Sequence, residues 1–561
     1  MFVVFEGIDG SGKTTLSGRV SDLLEEAGVS VHHARPKGEL KSQLAKRIRV
    51  LARDPRTLTM SPHTELLLYL SRDCQMIDTV IRPALDKAQV VIADRYVYSP
   101  IVLCRARGQV SNEEIDQAVG VVARGVWPDL VVYCDVDIHT SALRKKLDKT
   151  VSPKDQEDFG RKGLRGLGLR KAMRDVYLEM AKDEDGWMMV DNVNHSIDEN
   201  SNKIARRILN LLGVRANLPA PVVTGSVKLK PLPKNSHDAG DARDCFYSYL
   251  TRLESAGYAR MAIHHARSLD SDEAWQLREN HVNSEPEVVA RGLDPLFSER
   301  AIEMRRRLVS SAPRQVARSL GARWANDHDE AWKLREQLAD VVPVDVAMTL
   351  SGLDTPRAWE MRARLAEHKK ARGAVLASLR RLDTAKSWEL REELGRKKTD
   401  WALAKSVAFI DSPDAWKIRK KLLKNAAPWV ILSLTGLDCD DAWELRERFF
   451  IQATKLIVKS LVGVDSDRAW QMRADAGLWC KESLTTIKGS DDERAWNLRK
   501  SLRDTWPGYA AKSIGMTLGE SERGAAFLWD IIGAHPVDPE VAHYVVKLIE
   551  AAPDADTEDD D

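Results

Sequence analysis

The chain has little cysteine, and what it has is scattered: Cys74, Cys104, Cys134, Cys245, Cys439 and Cys480 form no CxxC pair in 561 residues. That pattern excludes a disulfide scaffold or a thiolate zinc site and suits reduced thiols in a cytosol. Charge of one sign is also lacking. The 85 Lys and Arg against 84 Asp and Glu leave +1, which argues against a nucleic-acid-binding field spread over the whole molecule and leaves only local basic patches. No apolar run approaches the ~20 residues of a membrane span, and the sequence opens on a strand pattern with no charged leader. A soluble cytoplasmic protein is expected. With 43% hydrophobic residues the chain can bury substantial cores in more than one domain.

The apolar run Met1 to Phe5 leads into Gly7-Ile8-Asp9-Gly10-Ser11-Gly12-Lys13-Thr14, then Thr15 and the helical pattern Leu16, Val20, Leu23, Leu24. Two glycines separated by four residues, followed by Lys and Thr between a strand and a helix, make a phosphate-binding loop. Its amides turn inward around phosphate oxygens, Lys13 reaches the outer phosphates, and the Thr14 hydroxyl can hold Mg²⁺. Such a loop grips a nucleoside triphosphate. Strand-like runs at 2–5, 90–93, 130–135 and 187–191 alternate with helical patterns, which predicts an α/β domain over 1–214 with a parallel sheet flanked by helices.

Pro219, Pro221, Pro231 and Pro233 mark a linker over 215–243. Beyond it the unit Ala-Trp-x-(Leu/Met/Ile)-Arg recurs. Its Trp positions are 275, 332, 359, 388, 416, 443, 470 and 496, with Ile302 as a variant, spaced 26 to 30 residues apart. That period fits two short helices and two turns. An all-α solenoid of short (~27-residue) helical hairpins is therefore expected over 244–550, superhelical, with the Trp residues as a continuous inner seam. The recurring Arg either pairs with the Asp of the preceding turn or lines a concave anion-binding face; a structural ladder is favoured. The acidic residues in 551–561 read as a solvated tail.

The loop from Phe5 to Thr15, together with Val91-Ile92-Ala93-Asp94-Arg95-Tyr96-Val97-Tyr98-Ser99, closely resembles the thymidylate kinase family, over roughly residues 1–212. The resemblance implies ATP-dependent phosphorylation of a nucleoside monophosphate, dTMP, to the diphosphate, with Mg²⁺. It implies that Lys13 and the loop amides hold the donor, that Thr14 and Asp94 organise Mg²⁺, that Arg95 grips the acceptor phosphate, and that Asp9 contacts the acceptor side. The loop interior from Ile8 to Ser11 carries no basic residue, so a lid containing Arg161, Lys162, Arg165 and Arg170 is expected to supply the extra cations. Tyr69, Arg72, Gln75 and Arg95 would bind the acceptor. There the pattern departs from the family: its Asp-Arg-x-Gln is Arg72-Asp73-Cys74-Gln75 here, its Tyr-Gln-Gly is Leu103-Cys104-Arg105, and its Arg-Glu-Pro-Gly is Ala34-Arg35-Pro36-Lys37. A different deoxynucleotide acceptor, or an ATP-binding switch acting through the solenoid, stays open beside dTMP. A homodimer of kinase domains and a protein partner on the solenoid are further expectations; membrane and nucleic-acid partners are not.

Overall fold

A computed structural model of the chain describes residues 1–152, 161–183, 186–216, 218–221, 227–233, 239–321, 323–395 and 399–551. They separate into two compact units, one of 1–146 with 159–226 and one of 147–158 with 227–561.

In the first unit, β1 (Phe2–Glu6), β2 (Val31–His33), β3 (Val90–Asp94), β4 (Leu130–Asp135) and β5 (Trp187–Asp191) form a five-stranded sheet in the order β2-β3-β1-β4-β5. All four pairings are parallel. β1 and β3 are buried throughout, and their runs of Val, Ile and Phe are continuous rather than alternating, as expected of strands covered on both faces. The short β2 carries only half-buried side chains, so the sequence gives no clear strand signal there. The helices are α1 (Lys13–Glu26), α2 (Gln43–Arg53), α3 (Pro62–Met76), α4 (Arg82–Leu85), α5 (Tyr98–Arg107), α6 (Asn112–Ala123), α7 (Ile138–Val151), α8 (Gly168–Asp183) and α9 (Ile197–Leu212). On one face α1 packs on α9, and Leu16, Val20, Leu23, Leu24, Ile204 and Ile208 meet Val3, Phe5, Ile92 and Val132 in one core. From β1 the chain runs first toward β2 and later toward β4. The strand order therefore switches direction beside β1, and the crevice at the carboxyl ends of β3, β1 and β4 is where such folds bind ligands.

The second unit is helical. Leu229 and Leu232 ahead of it are buried, the Leu232 amide donates to the Pro536 carbonyl at 2.9 Å, and the first helix starts at Ala239. Each repeat is a short first helix, such as Pro286–Gly292 or Pro313–Ser319, followed by a second helix carrying the Trp position, such as Glu299–Leu308 or Asp329–Leu338. The residue before each Pro takes one bend: Glu285, Ala312 and Val342 lie at φ −135, −137 and −134°, because the ring that follows disfavours helical geometry. Ala426 and Ala453, at φ −140 and −138°, repeat this joint inside two 21-residue helices.

The Arg and Trp of the repeat divide their partners differently from the expected Arg–Asp pair. The turn Asp accepts from the indole instead: Trp359 Nε1 donates to Asp354 Oδ1 at 2.7 Å, Trp416 to Asp411 at 2.6 Å and Trp496 to Asp491 at 2.8 Å. The Arg is fully buried. Arg362 donates from Nη2 to the Leu350 carbonyl at 2.7 Å and from Nε to Ser378 Oγ of the next repeat at 3.0 Å, and its guanidinium lies 4.8 Å from the Trp359 ring centre. Arg305, which follows Ile302, keeps the same partners in Leu293 and Ser319, so the variant repeat retains the ladder without the indole. After several of the first helices the chain crosses a left-handed turn. Gly352, Gly436, Gly463 and Gly489 fill it at φ 75 to 80°, while Arg381 and Phe409 adopt it at 70 and 67°. The turn amide donates to the next repeat: Gly352 N to Ser378 O at 2.9 Å, Phe409 N to Thr435 O at 3.1 Å.

Two features correct the expected superhelix with an inner Trp seam. The short first helices pack directly on one another along the array, whereas the Trp-bearing helices are set farther apart, so the Trp residues belong to the wider, outer layer. The packing also returns to its start: helix Ala239–Ser255 lies against the last helix, Pro539–Ile549. Tyr247 donates to Glu550 at 2.5 Å, and Arg267 Nη2 donates to Glu540 at 2.5 Å. The array is closed. The acidic run 554–561 lies outside the described residues.

Candidate active site

The loop of residues 7–14 leaves β1 and enters α1 with Gly12 as the left-handed cap at φ 87°. A Cβ at Gly12 would lie 2.2 Å from Asn192 Nδ2, and one at Gly10, also at φ 87°, would lie 2.7 Å from the Ser141 carbonyl. Only glycine fits either position. Asn192 and Ser141, which the sequence reading did not single out, brace the loop from outside: Asn192 Nδ2 donates to the Ser11 carbonyl at 2.6 Å and Ser141 Oγ to the Asp9 carbonyl at 2.7 Å.

Inside the loop, Lys13 is 5% exposed and donates to the Ile8 carbonyl at 2.8 Å and Ser11 Oγ at 3.3 Å. Burial, with Arg95 nearby, lowers its pKa to about 8 against the opposing pull of Asp94 and Asp9. Thr14 Oγ1 donates to Asp94 Oδ2 at 2.5 Å. Burial pushes the Asp94 carboxyl pKa up, but Lys13, Arg95 and Arg35 outweigh it and hold the group ionised. A hydroxyl and an ionised carboxylate side by side are the hard oxygen donors that Mg²⁺ takes alongside phosphate oxygens, so these residues fit the ion. Ile8 is buried and Thr15 exposed.

Arg95 follows β3 in a left-handed conformation at φ 77°. Its Nη1 donates to the Gly7 carbonyl at 3.0 Å and Ser99 Oγ at 2.9 Å, and its Nη2 to Asp9 Oδ1 at 2.6 Å. Behind it stands Glu6, wholly buried at the end of β1, which accepts from the Tyr96 amide at 2.8 Å, Ser99 Oγ at 2.8 Å and Tyr177 Oη at 2.7 Å. Glu6 thus ties β1, the turn after β3 and α8 together behind the guanidinium. Its place directly before Gly7 was the signal available for it in sequence.

On α3, Arg72 and Asp73 form a buried pair of their own, with Nε to Oδ1 at 2.8 Å and Nη2 to Oδ2 at 2.7 Å, and Arg72 stacks 5.2 Å from the Tyr69 ring centre. Gln75 is half-buried further along the helix. Two arginines to which the sequence reading gave no site role join this side. Arg49 on α2 lies among Arg53, Arg72, Arg95 and Asp9, and Arg35, 7% exposed, stands beside Arg72, Asp94 and Asp73, with burial the main cause of its pKa falling to about 10.

The basic residues expected of a lid fall in two places. Arg161 donates to the Met60 carbonyl at 2.9 Å and lies 3.7 Å from Glu65, which Arg107 also engages; Arg165 lies in the field of the same three groups. Arg170 reaches Ser141 Oγ at 3.4 Å beside the loop, where Arg144, another missed residue, donates to Asn192 O at 2.8 Å and approaches Gly10 O at 3.5 Å. The Lys162 side chain lies outside the described residues.

A parallel sheet in this order, with a phosphate loop after β1 and an Asp-Arg after β3, defines a P-loop kinase of the nucleoside-monophosphate type. The thymidylate kinase family model matches residues 5–204. The thymidylate kinase of Pelobacter propionicus is 30% identical over 210 residues, 37% of this chain and 93% of the relative. Those of Fervidobacterium nodosum and of Nitratidesulfovibrio vulgaris (strain Miyazaki F) are each 30% identical, over 207 and 216 residues and 97% and 99% of their own lengths. The chain belongs to the thymidylate kinase family, phosphotransferases that use ATP with Mg²⁺. No helix among the described residues is long and apolar enough to cross a membrane.

Proposed function

We propose that the N-terminal unit transfers a phosphoryl group from ATP to dTMP. The observation that supports this reading is that Lys13, the Thr14–Asp94 pair and the Arg95–Asp9 pair come together at the ends of β1 and β3; the first two serve the donor and the last the acceptor. Phosphoryl transfer between two polyanions needs positioning and neutralisation more than covalent chemistry. Lys13 and the amides of Gly10 to Thr14 hold the donor phosphates. Thr14 and Asp94 hold Mg²⁺, which neutralises charge on the transferred group when bound. Arg95 exchanges part of its contact with Asp9 for the acceptor phosphate, while Glu6 and Ser99 keep its fork in place. Arg49 adds a second cation to the acceptor phosphate. Arg144 and Arg170, beside the loop, supply the positive charge that its interior lacks.

The base-reading end supports a second reading, in which the acceptor is a different deoxynucleoside monophosphate. Arg72 spends two of its donors on Asp73, and Arg35 occupies the position of the family's Glu. The helical unit serves a partner or ligand, and the dispersed free cysteines fit a cytoplasmic setting. Rates of ADP formation by the full chain with ATP, Mg²⁺ and each deoxynucleoside monophosphate in turn test both readings. Turnover with dTMP at the highest kcat/KM supports the first; preference for another acceptor replaces it with the second. Loss of turnover with all acceptors despite ATP binding would refute both.

A further inference from the structure

One buried cation beside the site stands without a counter-charge. Arg35 is 7% exposed, and among the described residues no carboxylate forms an ion pair with it, whereas Asp73 pairs with Arg72 and Asp9 with Arg95. Its Nη2 donates to the Gly38 carbonyl at 3.3 Å, and its buried Nε has no hydrogen-bond partner among the described residues. A buried, charged donor left unsatisfied is costly in the free protein, and a ligand oxygen brought to it offsets that cost.

The turn that carries Arg35 is fixed on both sides. The Ala34 amide donates to the Ile92 carbonyl on β3 at 2.8 Å. The Arg35 amide donates to His33 Nδ1 at 3.2 Å, which sets the ring's tautomer: Nε2 carries the proton and donates to Ser17 Oγ at 3.1 Å, and Ser17 Oγ donates to the Thr14 carbonyl at 3.2 Å. Burial lowers the His33 pKa to about 4, so Nδ1 stays an acceptor at neutral pH. At the end of the turn, a Cβ on Gly38 would stand 3.6 Å from Asp94 Oδ2 and 3.7 Å from Thr14 Oγ1. Two residues further on, Leu40 joins Ala45 and Met76 in a small core, and Met76 lies on α3 one helical turn beyond the Arg72–Asp73 pair. Residues 34–40 therefore reach from the Thr14–Asp94 pair to α3.

On the kinase reading proposed above, on which this inference rests, phosphates meet at Thr14, Asp94 and Arg95 and the acceptor base lies toward α3. A nucleoside monophosphate that spans the two carries its sugar past the turn, and a deoxyribose 5′-phosphate has one free hydroxyl, on C3′. We propose that Arg35 is a specificity-determining residue whose guanidinium donates to the 3′-hydroxyl oxygen of the acceptor nucleotide. A guanidinium can only donate and an ionised carboxylate can only accept. The Glu of the family pattern at this position and the Arg here would thus engage opposite sides of a hydroxyl, its proton in one case and its lone pair in the other.

The test crosses substrate with protein. Values of kcat/KM for dTMP and for 2′,3′-dideoxythymidine 5′-monophosphate, which lacks the hydroxyl, are measured on the full chain with ATP and Mg²⁺, for the wild type and for Arg35→Met. Losing the hydroxyl should cost the wild type about tenfold or more, as for a charge-assisted hydrogen bond. Arg35→Met should be slowed with dTMP by a similar factor and lose little more with the analogue, because the two changes remove one interaction. Arg35→Lys, which keeps the charge and loses the fork, gives the same comparison should Arg35→Met fail to fold. If another deoxynucleoside monophosphate is the better acceptor, its dideoxy analogue takes the place of the thymidine one. An equal loss of the hydroxyl's effect in wild type and variant overturns the inference while leaving the kinase reading intact, since Arg35 would then only support the Gly38 turn. Absence of wild-type turnover with every acceptor refutes the kinase reading, and the inference with it.

Discussion

Replacing Trp332 with Ala tests whether the Trp layer holds the array together. Trp332 is 4% exposed, donates from Nε1 to the Asn326 carbonyl at 2.8 Å, and lies between the guanidinium groups of Arg335, 4.5 Å from its ring centre, and Arg357, at 5.0 Å. Truncating a buried aromatic to Ala costs about 3–5 kcal/mol through lost transfer energy and the cavity left behind. Arg335 is itself 0% exposed, with a pKa that burial lowers to about 10, so it also loses a desolvated cation–π face worth up to about 2 kcal/mol. A total near 4–6 kcal/mol is expected once the two overlapping terms are discounted. Urea unfolding followed by circular dichroism measures it, with Trp332→Phe losing less than half as much because it refills most of the volume. The control is Arg307→Ala, which removes an exposed ion pair with Glu279 and should cost under about 1 kcal/mol. A Trp332→Ala loss below about 1.5 kcal/mol, or one no larger than that of the control, would refute the reasoning and mark the indole as free for a ligand.

Gly12→Ala should abolish ATP binding in a folded protein, because its Cβ would lie 2.2 Å from Asn192 Nδ2 at φ 87°; equilibrium dialysis with ATP checks it. Arg95→Lys keeps a cation but loses the fork that reaches Gly7, Ser99 and Asp9, and kcat should fall by about 10²-fold or more, as for other positioning groups; near wild-type kcat would remove Arg95 from the acceptor site. Lys13 has its folded pKa lowered to about 8 from 10.5, so between those values the unfolded chain binds more protons. Stability of the ligand-free protein should therefore rise with pH across that window, and Lys13→Met should stabilise it at neutral pH by up to roughly 3 kcal/mol while abolishing turnover. A stability curve that is flat between pH 8 and 10 and unchanged by the substitution would contradict this. Glu6→Gln should lower kcat with little effect on ATP affinity, since Glu6 orients the turn that carries Arg95 and Ser99; equal losses in both would make Glu6 a general folding element.

Features encoded within a few residues of one another were legible in the sequence. Four of the five strands appear as apolar runs, the phosphate loop as a spacing of glycines, and the repeat register as recurring Ala-Trp-x-x-Arg. β2 was not, because only three half-buried residues form it. The partners of the repeat Arg and Asp were not either, since an Asp two residues before the helix and an Arg within it look equally suited to each other. The structure pairs the Asp with indole and the Arg with carbonyls left at the end of a first helix. Around the active site, the residues that touch the loop from α7 and from just after β5, Ser141, Arg144 and Asn192, lie 132, 134 and 181 positions from the loop residues they contact and carry no motif. Closure was the least legible property, since it depends on the sum of small rotations between repeats and on contacts such as Tyr247 with Glu550.

Because the helix Ala239–Ser255 lies against Pro539–Ile549, both ends of the array emerge side by side. A ring entered and left at one point can be attached to a host chain, or set into one of its surface loops, without prying the host apart. It also has no outermost repeat that needs a specialised polar cover. Circular permutants opened between two other repeats, with residues 239 and 551 joined by a short linker, should therefore fold to the same ring.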